Sequence, residues 1–478
     1  MSEVISEMIL PGTYIEVRSE GLIGVGGIAV GNIGVVGTAN RGPLNTPVIL
    51  GSYAEAQEAF GNYDRFSTEA GATPLTLTRT LELVFKGGGS TVYAVRVANL
   101  AVGVTMQTMS WRLRDAADAT LVTLNATSPG TWANAIVASF TAGAAGAAST
   151  LTLVLGRLKE TFTGTSAQDF FAAIRDGSRL VSVAAPAAAV AATAVASVAA
   201  AAVADIGGPD GAAATTTELA AGLDVLATQP VNIVVAGGFS AQDGAATMLA
   251  HLEATENDGR ERIGVMGTSS NEPSTLVTND VSRGSNPRLV LVAPGIKADD
   301  AARVGEANKQ VTLPASYAAA LVAGRLSTLA SHISLTNKDL AVDALAREYT
   351  RAEQKNLLNN RVMLLVPSFG IRVLKGITTD TGAFKQVSVR RIVDEAKAGV
   401  RLGCNPYIGR LNNSRVRAAL KATLDGFLSS MVLDEKLVGY TLDVSATRAQ
   451  EINGQAIVTM TLQPTFSIDF IKVIMNLS

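Results

Sequence analysis

The clearest hydrophobic pattern lies near the C-terminal end of the chain, where apolar and polar positions alternate twice. From Ala456 to Gln463 the alternation has the period of a β-strand. Pro464 then interrupts it, because proline has no N–H to give to a strand ladder. Beyond it, apolar residues alternate with Ser467 and Asp469. A terminal apolar strand needs a sheet that it can join. If no sheet of its own subunit has room, a sheet of an adjacent subunit is the natural acceptor.

The N-terminal residues have a similar character. Residues 4–10 are short and partly apolar, and a turn at Pro11-Gly12 leads into the alternation that ends at Val17. Arms that leave the body at both ends indicate a subunit of a polymer. Pairing of both segments inside the monomer is the alternative.

Two stretches alternate short apolar runs with helical patterns, which predicts a mainly parallel sheet covered on both faces. In these stretches we expect strands at 48–50, 91–98, 231–236, 262–266 and 288–293, and helices at 52–61, 73–85 and 242–255. Between them, residues from about 100 to 215 mix alternating runs such as 119–124 and 151–155 with Ala/Gly/Thr-rich loops. This middle part predicts a β-rich insertion.

The last third of the chain has its own pattern. We expect helices at 316–331, 344–359, 387–399 and 414–433, and strands at 361–366, 370–375, 438–444 and 456–463. The last two strands are predicted to pair, with the turn supplied by Asn453-Gly454.

The predicted fold class is a multidomain α/β and α+β chain, with α/β core domains, a β-rich inserted outer domain and extended N- and C-terminal arms. The expected units are an N-terminal arm (1–22), a first α/β part (23–99), the insert (100–215), a second α/β part (216–300), a C-terminal core domain (301–463) and a C-terminal arm (464–478).

Composition narrows the function. Of 478 residues, 47% are hydrophobic and only 17% are charged. This hydrophobic fraction is high for a freely soluble monomer, which suggests that assembly hides part of the surface. A formal net charge of −2 offers no case for nucleic-acid binding. The one membrane-like stretch, 181–204, is dominated by alanine, so we interpret it as a soluble low-complexity segment without membrane insertion.

Candidate chemistry is sparse. Cys404 is the only cysteine, which excludes an internal disulfide or a multi-cysteine metal site. His251 is expected to face solvent or a neighbour and His332 to close a helix. Neither histidine suggests catalysis, and no base can be argued for Cys404, so we expect no enzyme activity, no metal and no cofactor.

A nucleotide-binding α/β enzyme remains the alternative from a different class. The glycine cluster Gly21–Gly37 contains the frame Gly24–Ala29, which is close to a dinucleotide fingerprint. No clear strand precedes this frame and no helix follows it, so close backbone packing or turns explain the glycines better.

Several motifs occur in an order that resembles the contractile tail sheath proteins of bacteriophages. The segments that carry the resemblance are Pro11–Glu16, Gly34–Pro47, Ala54–Ala56, Phe60-Gly61, Ser128–Asn134, Gly370–Val373, Val387–Ile392 and Pro464–Ile471. They span the whole chain. The segment Ser128–Asn134 resembles the start of that family's β-rich inserted domain.

The resemblance implies a structural function. Such subunits form hexameric rings, stacked helically around an inner tail tube, and their contraction drives the tube through a bacterial envelope. The implied partners are the subunit itself, the tail tube, the baseplate and the tail terminator. The implied location is the virion tail, assembled in the host bacterial cytoplasm. The sheath of a phage-derived bacteriocin or another contractile injection system is an equally compatible structural alternative.

The resemblance also implies arms that lend strands to neighbouring sheets. We expect anchor residues in both arms, namely Val4, Ile5, Met8, Ile9, Phe466, Ile468, Phe470, Ile471 and Val473. A tube-facing surface is expected on helix 414–433. Its candidate residues are Arg415, Arg417, Lys421 and Asp425, with ordinary solvated helix charges as the alternative.

Overall fold

Most of the chain folds into strands and helices in the computed structural model, which describes residues 28–67, 75–100, 108–144, 147–200 and 210–476. The strands are β1 (Ile33–Thr38), β2 (Pro47–Leu50), β3 (Val92–Val97), β4 (Ser110–Arg114), β5 (Thr120–Ala126), β6 (Val137–Thr141), β7 (Ser149–Leu155), β8 (Leu158–Gly164), β9 (Val181–Val183), β10 (Ser197–Ala200), β11 (Ile233–Ser240), β12 (Ile263–Gly267), β13 (Leu289–Ala293), β14 (Ile296–Asp299), β15 (Gln310–Leu313), β16 (Asp339–Leu340), β17 (Ala344–Leu345), β18 (Met363–Pro367), β19 (Ile371–Val373), β20 (Leu437–Ser445) and β21 (Ile457–Pro464). The helices are α1 (Tyr53–Phe60), α2 (Leu77–Lys86), α3 (Ala167–Gly177), α4 (Thr216–Ala227), α5 (Ala241–Asn257), α6 (Pro273–Asn279), α7 (Ala315–Ser327), α8 (Arg351–Asn359), α9 (Val387–Cys404), α10 (Ser414–Leu433) and α11 (Arg448–Ile452).

A nine-stranded sheet organises the central part of the molecule, in the order β16-β19-β18-β13-β12-β11-β1-β3-β2. The six strands from β18 to β3 are parallel, and antiparallel strands end the sheet on both sides. Its interior strands are mainly apolar because helices cover both faces, as predicted for a parallel sheet, and Arg96 on β3 is a charged exception. Val35, Val235, Val265 and Val290 align in register across four strands and lie in one core.

Helices α2 and α7 cover one face of this sheet, and α4 and α5 cover the other. Helix α7 is almost wholly buried, and five of its 13 residues are alanine. Small residues are needed there because α7 crosses α2 closely. A Cβ atom on Gly324 would lie 2.2 Å from the Val84 carbonyl oxygen and 3.0 Å from the Gly87 Cα. The two backbones are therefore in direct contact.

The insert folds around its own core. Strands β10-β4-β5-β9 form one antiparallel sheet and β6-β7-β8 form another. Trp111, Leu124, Leu151 and Phe170 bring the two sheets and α3 together. Helix α3 begins at a capping box in which Ser166 and Asp169 exchange hydrogen bonds.

The central sheet continues past residue 300. Strands β16, β18 and β19 belong to it, although we predicted a separate C-terminal core domain from residue 301. The unit that stands apart from the sheet begins later, at α9. There α9 and α10 pack on the β20–β21 ribbon around Ile392, Leu428 and Met431.

The helix predicted at 344–359 is too long. Only Arg351–Asn359 is helical, because Thr350 caps the helix and forms a capping box with Glu353. Residues 344–345 instead form β17, which pairs with β14.

Two further expectations differ from the structure. Helix α7 ends at Ser327, so His332 lies in the following loop and does not close the helix. The connection between β20 and β21 is more than a turn, because it contains α11, which Thr447 caps. Gly454 still takes a left-handed conformation there, with φ +69°.

None of the helices in the described residues is long and apolar enough to cross a membrane. The alanine-rich stretch contains β9 and β10, both part of the insert.

Two glycine substitutions in helices should have opposite effects. Gly324→Ala should lower the free energy of unfolding by about 1–3 kcal/mol, because the added methyl group overlaps the α2 backbone. Gly426→Ala in α10 is the matched control: no atom beyond its own helix backbone and chain neighbours lies within 4 Å of its Cβ position, so it should raise stability by about 0.5–1 kcal/mol. Denaturant unfolding of both variants measures the difference, and equal effects would contradict the close crossing.

Candidate assembly surfaces

The C-terminal segment 465–476 exposes a row of apolar side chains and joins no strand within the described chain. The predicted anchors are between 63% and 83% exposed: Phe466, Ile468, Phe470, Ile471 and Val473. Thr465, Ser467 and Asp469 alternate with the first of these residues and are half-buried against the body. The apolar side chains therefore point outward, the reverse of a strand that covers its own core.

The segment continues directly from β21. The Thr465 N–H donates to the Lys436 carbonyl oxygen at 3.1 Å, and its hydroxyl donates to the Glu435 carbonyl oxygen at 2.7 Å. These bonds extend the ribbon by one residue. The N-terminal anchors, Val4, Ile5, Met8 and Ile9, lie outside the described residues.

The β20–β21 ribbon has an open edge on each side. The two strands pair only with each other among the described strands. Helix α10 packs on one face through Leu442, Val444 and Val458. Val438, at the start of the ribbon, is well exposed. Unpaired N–H and C=O groups along such edges are a template for an added strand.

The four candidate tube-facing residues lie along α10, and Arg417, Lys421 and Asp425 contact the ribbon or α11. Arg417 pairs with Glu451 at 2.9 Å and Lys421 with Asp443 at 3.5 Å. Asp425 accepts a hydrogen bond from the Tyr440 hydroxyl at 2.7 Å. Arg415, Lys421 and Asp425 remain exposed, whereas Arg417 is half-buried.

Burial shifts the pKa values of the two candidate reactive residues His251 and Cys404. His251 is buried, contrary to the expectation that it faces solvent or a neighbour, and its Nε2 lies 3.1 Å from Arg262 Nη1. Burial and the Arg262 charge lower the pKa of His251 to about 4, so it is neutral at pH 7. Burial raises the pKa of the Cys404 thiol, which makes it a poorer nucleophile. The described residues contain no cluster of three or more potential metal ligands.

A small pocket lies at the carboxyl ends of β1 and β11, where ligands bind in many open α/β sheets. Its volume is about 190 Å³, and its lining includes Thr38, Thr76, Gly238 and the carboxylate of Asp243. Thr38 and Thr76 satisfy each other's backbone N–H groups. The lining holds no lysine or arginine, and the carboxylate of Asp243 would repel a nucleotide phosphate.

Two family models match adjoining parts of the chain and together cover more than half of it. The phage tail sheath protein central domain matches residues 212–379, and the phage tail sheath C-terminal domain matches residues 379–478. The chain belongs to the phage tail sheath family. It is thus a structural sheath subunit of a contractile tail, as the motif order predicted.

Solved structures share the fold over nearly the whole sheath chain. The sheath tail protein from Desulfitobacterium hafniense is 17% identical, with a TM-score of 0.62, over 95% of this chain and 100% of that one. The sheath tail protein from Listeria innocua is 15% identical, with a TM-score of 0.65, over 94% and 95%. The helical sheath of the anti-feeding prophage in its contracted state is 13% identical, with a TM-score of 0.58, over 98% and 99%. A comparison with curated proteins finds no match.

A buried arginine joins the insert of this sheath subunit to the central sheet. Arg96 on β3 is fully buried and donates to the carbonyl oxygens of Gly42 at 2.7 Å and Pro129 at 2.8 Å. Burial lowers the pKa of Arg96 to about 10, which leaves it charged at neutral pH. Arg41 stacks 4.4 Å above the ring of Trp132 at the same junction. Two of the motifs that carry the family resemblance therefore touch each other.

A second arginine joins α9 to the sheet at the amino ends of its parallel strands. Arg288, directly before β13, donates two hydrogen bonds to Glu256 and two to Asp394, all between 2.6 and 2.9 Å. Arg401 of α9 also pairs with Glu261, two residues before β12, at 2.8 Å. The C-terminal unit thus sits at the amino ends of the parallel strands, and the insert sits at the carboxyl ends.

Sequence reasoning missed both arginines. For Arg96 a signal was present, since a charged residue interrupts an otherwise apolar strand, and such a side chain needs buried partners. The sequence carries no such signal for Arg288, because a charged residue before a strand is usually solvated. Its partners lie 32 and 106 residues away.

Glu256→Gln should change how stability depends on pH. The hydrogen bonds from Arg288 and then Lys397 lower the pKa of Glu256 from 4.5 to about 2. The carboxylate therefore stabilises the fold above pH 4.5 and loses this contribution as the pH falls toward 2. The variant should be less stable at pH 7 and should lose less stability over that interval.

Thermal unfolding between pH 7 and pH 3 measures this effect. Glu253→Gln, on the exposed side of the same helix, is the matched control and should follow the wild type. Parallel curves for Glu256→Gln and the wild type would show that the Arg288 contact contributes nothing.

Proposed function

We propose that this sheath subunit polymerises into stacked hexameric rings around a tail tube and that its two arms add strands to the sheets of neighbouring subunits. The observation that carries the proposal is the coexistence, in one unit, of an outward-facing apolar segment and a two-stranded ribbon with open edges. One subunit therefore holds both the strand to be donated and a place to receive one.

The energetics favour such a link. Each backbone hydrogen bond of an added strand contributes about 0.5–1.5 kcal/mol net. Burial of a large apolar side chain such as Phe470 or Ile471 contributes about 1.5–3 kcal/mol more. We assign the N-terminal anchors Val4, Ile5, Met8 and Ile9 the same role. Links of this kind stay closed while the rigid bodies between them rearrange.

Contraction of the polymer would drive the tube through the host envelope. The baseplate and the tail terminator are the proposed partners at its two ends, and the subunit itself performs no catalysis. We place it in the virion tail, after assembly in the bacterial cytoplasm. A phage-derived bacteriocin or another injection machine is an alternative setting, favoured by the fold shared with the anti-feeding prophage sheath.

Removing the C-terminal arm should abolish polymerisation. A chain that ends after Pro464 should keep its fold, because the apolar side chains that it loses are mainly exposed. Negative-stain electron microscopy at increasing concentration, with the cognate tube and baseplate added, should show hollow striated tubes for the full chain and isolated particles for the truncated chain.

Val137→Thr is the control for this experiment, because it alters an exposed apolar residue on β6 of the insert and keeps the strand-forming shape. It should form tubes normally. Tubes from the truncated chain at the wild-type concentration would rule out the donated strand.

The tube-facing surface is proposed to be the exposed side of α10. Lys421→Glu and Arg415→Glu should each weaken binding to purified tube protein by about fivefold, or about 1 kcal/mol, because the change reverses a charge at a polar interface. Lys159→Glu, an exposed lysine of the insert, is the control. Co-sedimentation measures binding, and equal losses in all three variants would place the tube contact elsewhere.

A further inference from the structure

The first half of the C-terminal arm is held on its own subunit by a polar cradle, which we define as Thr336, Lys375 and Gln386. Asp469 is the residue that the cradle binds. Its carboxylate lies 3.3 Å from Lys375 Nζ and accepts a hydrogen bond from the Gln386 side-chain amide at 3.1 Å. The Thr336 hydroxyl lies 3.5 Å from the other carboxylate oxygen.

Gln386 also binds the arm's backbone. Its side-chain oxygen accepts from the Ser467 N–H at 3.1 Å, and its side-chain nitrogen donates to the Ser467 carbonyl oxygen at 3.3 Å. A single amide side chain thus imitates a neighbouring strand at this one residue. The backbone N–H and C=O groups of Ser467 are therefore already paired within the subunit.

The cradle spans the junction between the central sheet and the C-terminal unit. Lys375 follows β19, at the end of the sheet, whereas Gln386 is the residue directly before α9. Thr336 precedes β16 and also accepts a hydrogen bond from the Gly376 N–H at 3.0 Å. Asp469 therefore fastens the arm to both sides of one joint.

This arrangement explains the inverted alternation of the segment. The Asp469 carboxylate points inward to polar groups of the body, and Gln386 holds the Ser467 backbone, so the alternating Phe466, Ile468 and Phe470 side chains point outward. Lys375 further fixes Phe470, since its Nζ lies 4.8 Å from the ring centroid. From Ile471 onward every described residue of the arm is exposed.

We infer that Asp469 is a positioning residue that divides the arm into two functional parts. Residues 465–470 stay on their own subunit and present Phe466, Ile468 and Phe470 as a fixed apolar surface to a second copy of this chain. Only the part from Ile471 onward passes into the neighbour's sheet. The inference rests on the proposed function, and it narrows the set of residues that make the strand link to Ile471, Val473 and those after them.

Asp469 differs from an ordinary surface charge. Its side chain is only 12% exposed and has three partners from separate segments of the chain. The Arg175–Asp176 pair in the insert is the contrast, since its two side chains are 57% and 65% exposed and adjacent in sequence. Asp176→Asn is therefore a suitable control.

A charge exchange tests the contact. Asp469→Lys and Lys375→Asp should each raise the lowest concentration at which tubes form by about tenfold, because each places like charges at the base of the arm. The double variant restores opposite charges and should return to within about threefold of the wild type. Thermal unfolding of the unassembled subunits should be unchanged, and Asp176→Asn should assemble as the wild type does.

Hydrogen exchange on the unassembled subunit provides the second measurement. The peptide containing residues 465–470 should exchange faster in Asp469→Lys than in the wild type, and the double variant should restore its protection. A structural role elsewhere in the fold would not confine the change to this peptide.

The outcomes separate the two proposals. If Asp469→Lys assembles normally while the chain ended after Pro464 does not, the positioning role is wrong and the donated arm stands. If the single variants fail and the double variant is not rescued, the positioning role is again wrong. If the wild-type chain forms no tubes with its cognate tube and baseplate, the proposed function itself fails.

Discussion

The need of every strand edge for backbone partners is the constraint on which this subunit's architecture depends. The large sheet meets it internally: its two ends are short antiparallel strands of four residues (β2) and two residues (β16), which leave little edge exposed. The β20–β21 ribbon does not. Its strands are nine and eight residues long, and each has an edge with which no other described strand pairs. The large sheet is thus closed by short end strands, whereas the ribbon keeps long unpaired edges, which are the edges that the proposed strand addition would use.

Interior arginines set how the units sit on one another. Arg96 holds the insert and Arg288 holds α9, and Arg391 of α9 donates to the carbonyl oxygens of Val30 and Leu329. A planar guanidinium with five donors can bind oxygen atoms from several segments at fixed angles. Apolar contact alone would allow the units to slide, whereas these directional bonds fix their orientation. The close crossing at Gly324 does the same between helices, because two backbones in contact leave no room for adjustment.

Much of the fold could be predicted from periodicity. Strands β12 and β13 of the central sheet are continuous apolar runs, β3 is one apart from Arg96, and Ser52 caps α1 as its sequence position indicates. The order of short motifs identified the family, which the family models confirm. Features with distant partners could not be predicted. Strands β14 to β17 are two to four residues long and carry little periodicity, and His251 gave no sign of Arg262 beneath it. At the arm, the alternation of Phe466 to Phe470 was visible, but the inward pull on Asp469 depends on residues about 80 to 130 positions earlier.

The placement of the insert and the C-terminal unit at opposite ends of the same parallel strands gives the subunit two poles. The proposed link through the C-terminal arm ties neighbours together at the pole of the C-terminal unit. A rigid body fastened at one pole behaves as a lever: a small tilt there carries the far pole through a longer arc, in proportion to its distance from the fulcrum. The insert would then travel farthest while taking no part in the linkage, which leaves its surface open to change in loops and charge without loss of the joint that moves it.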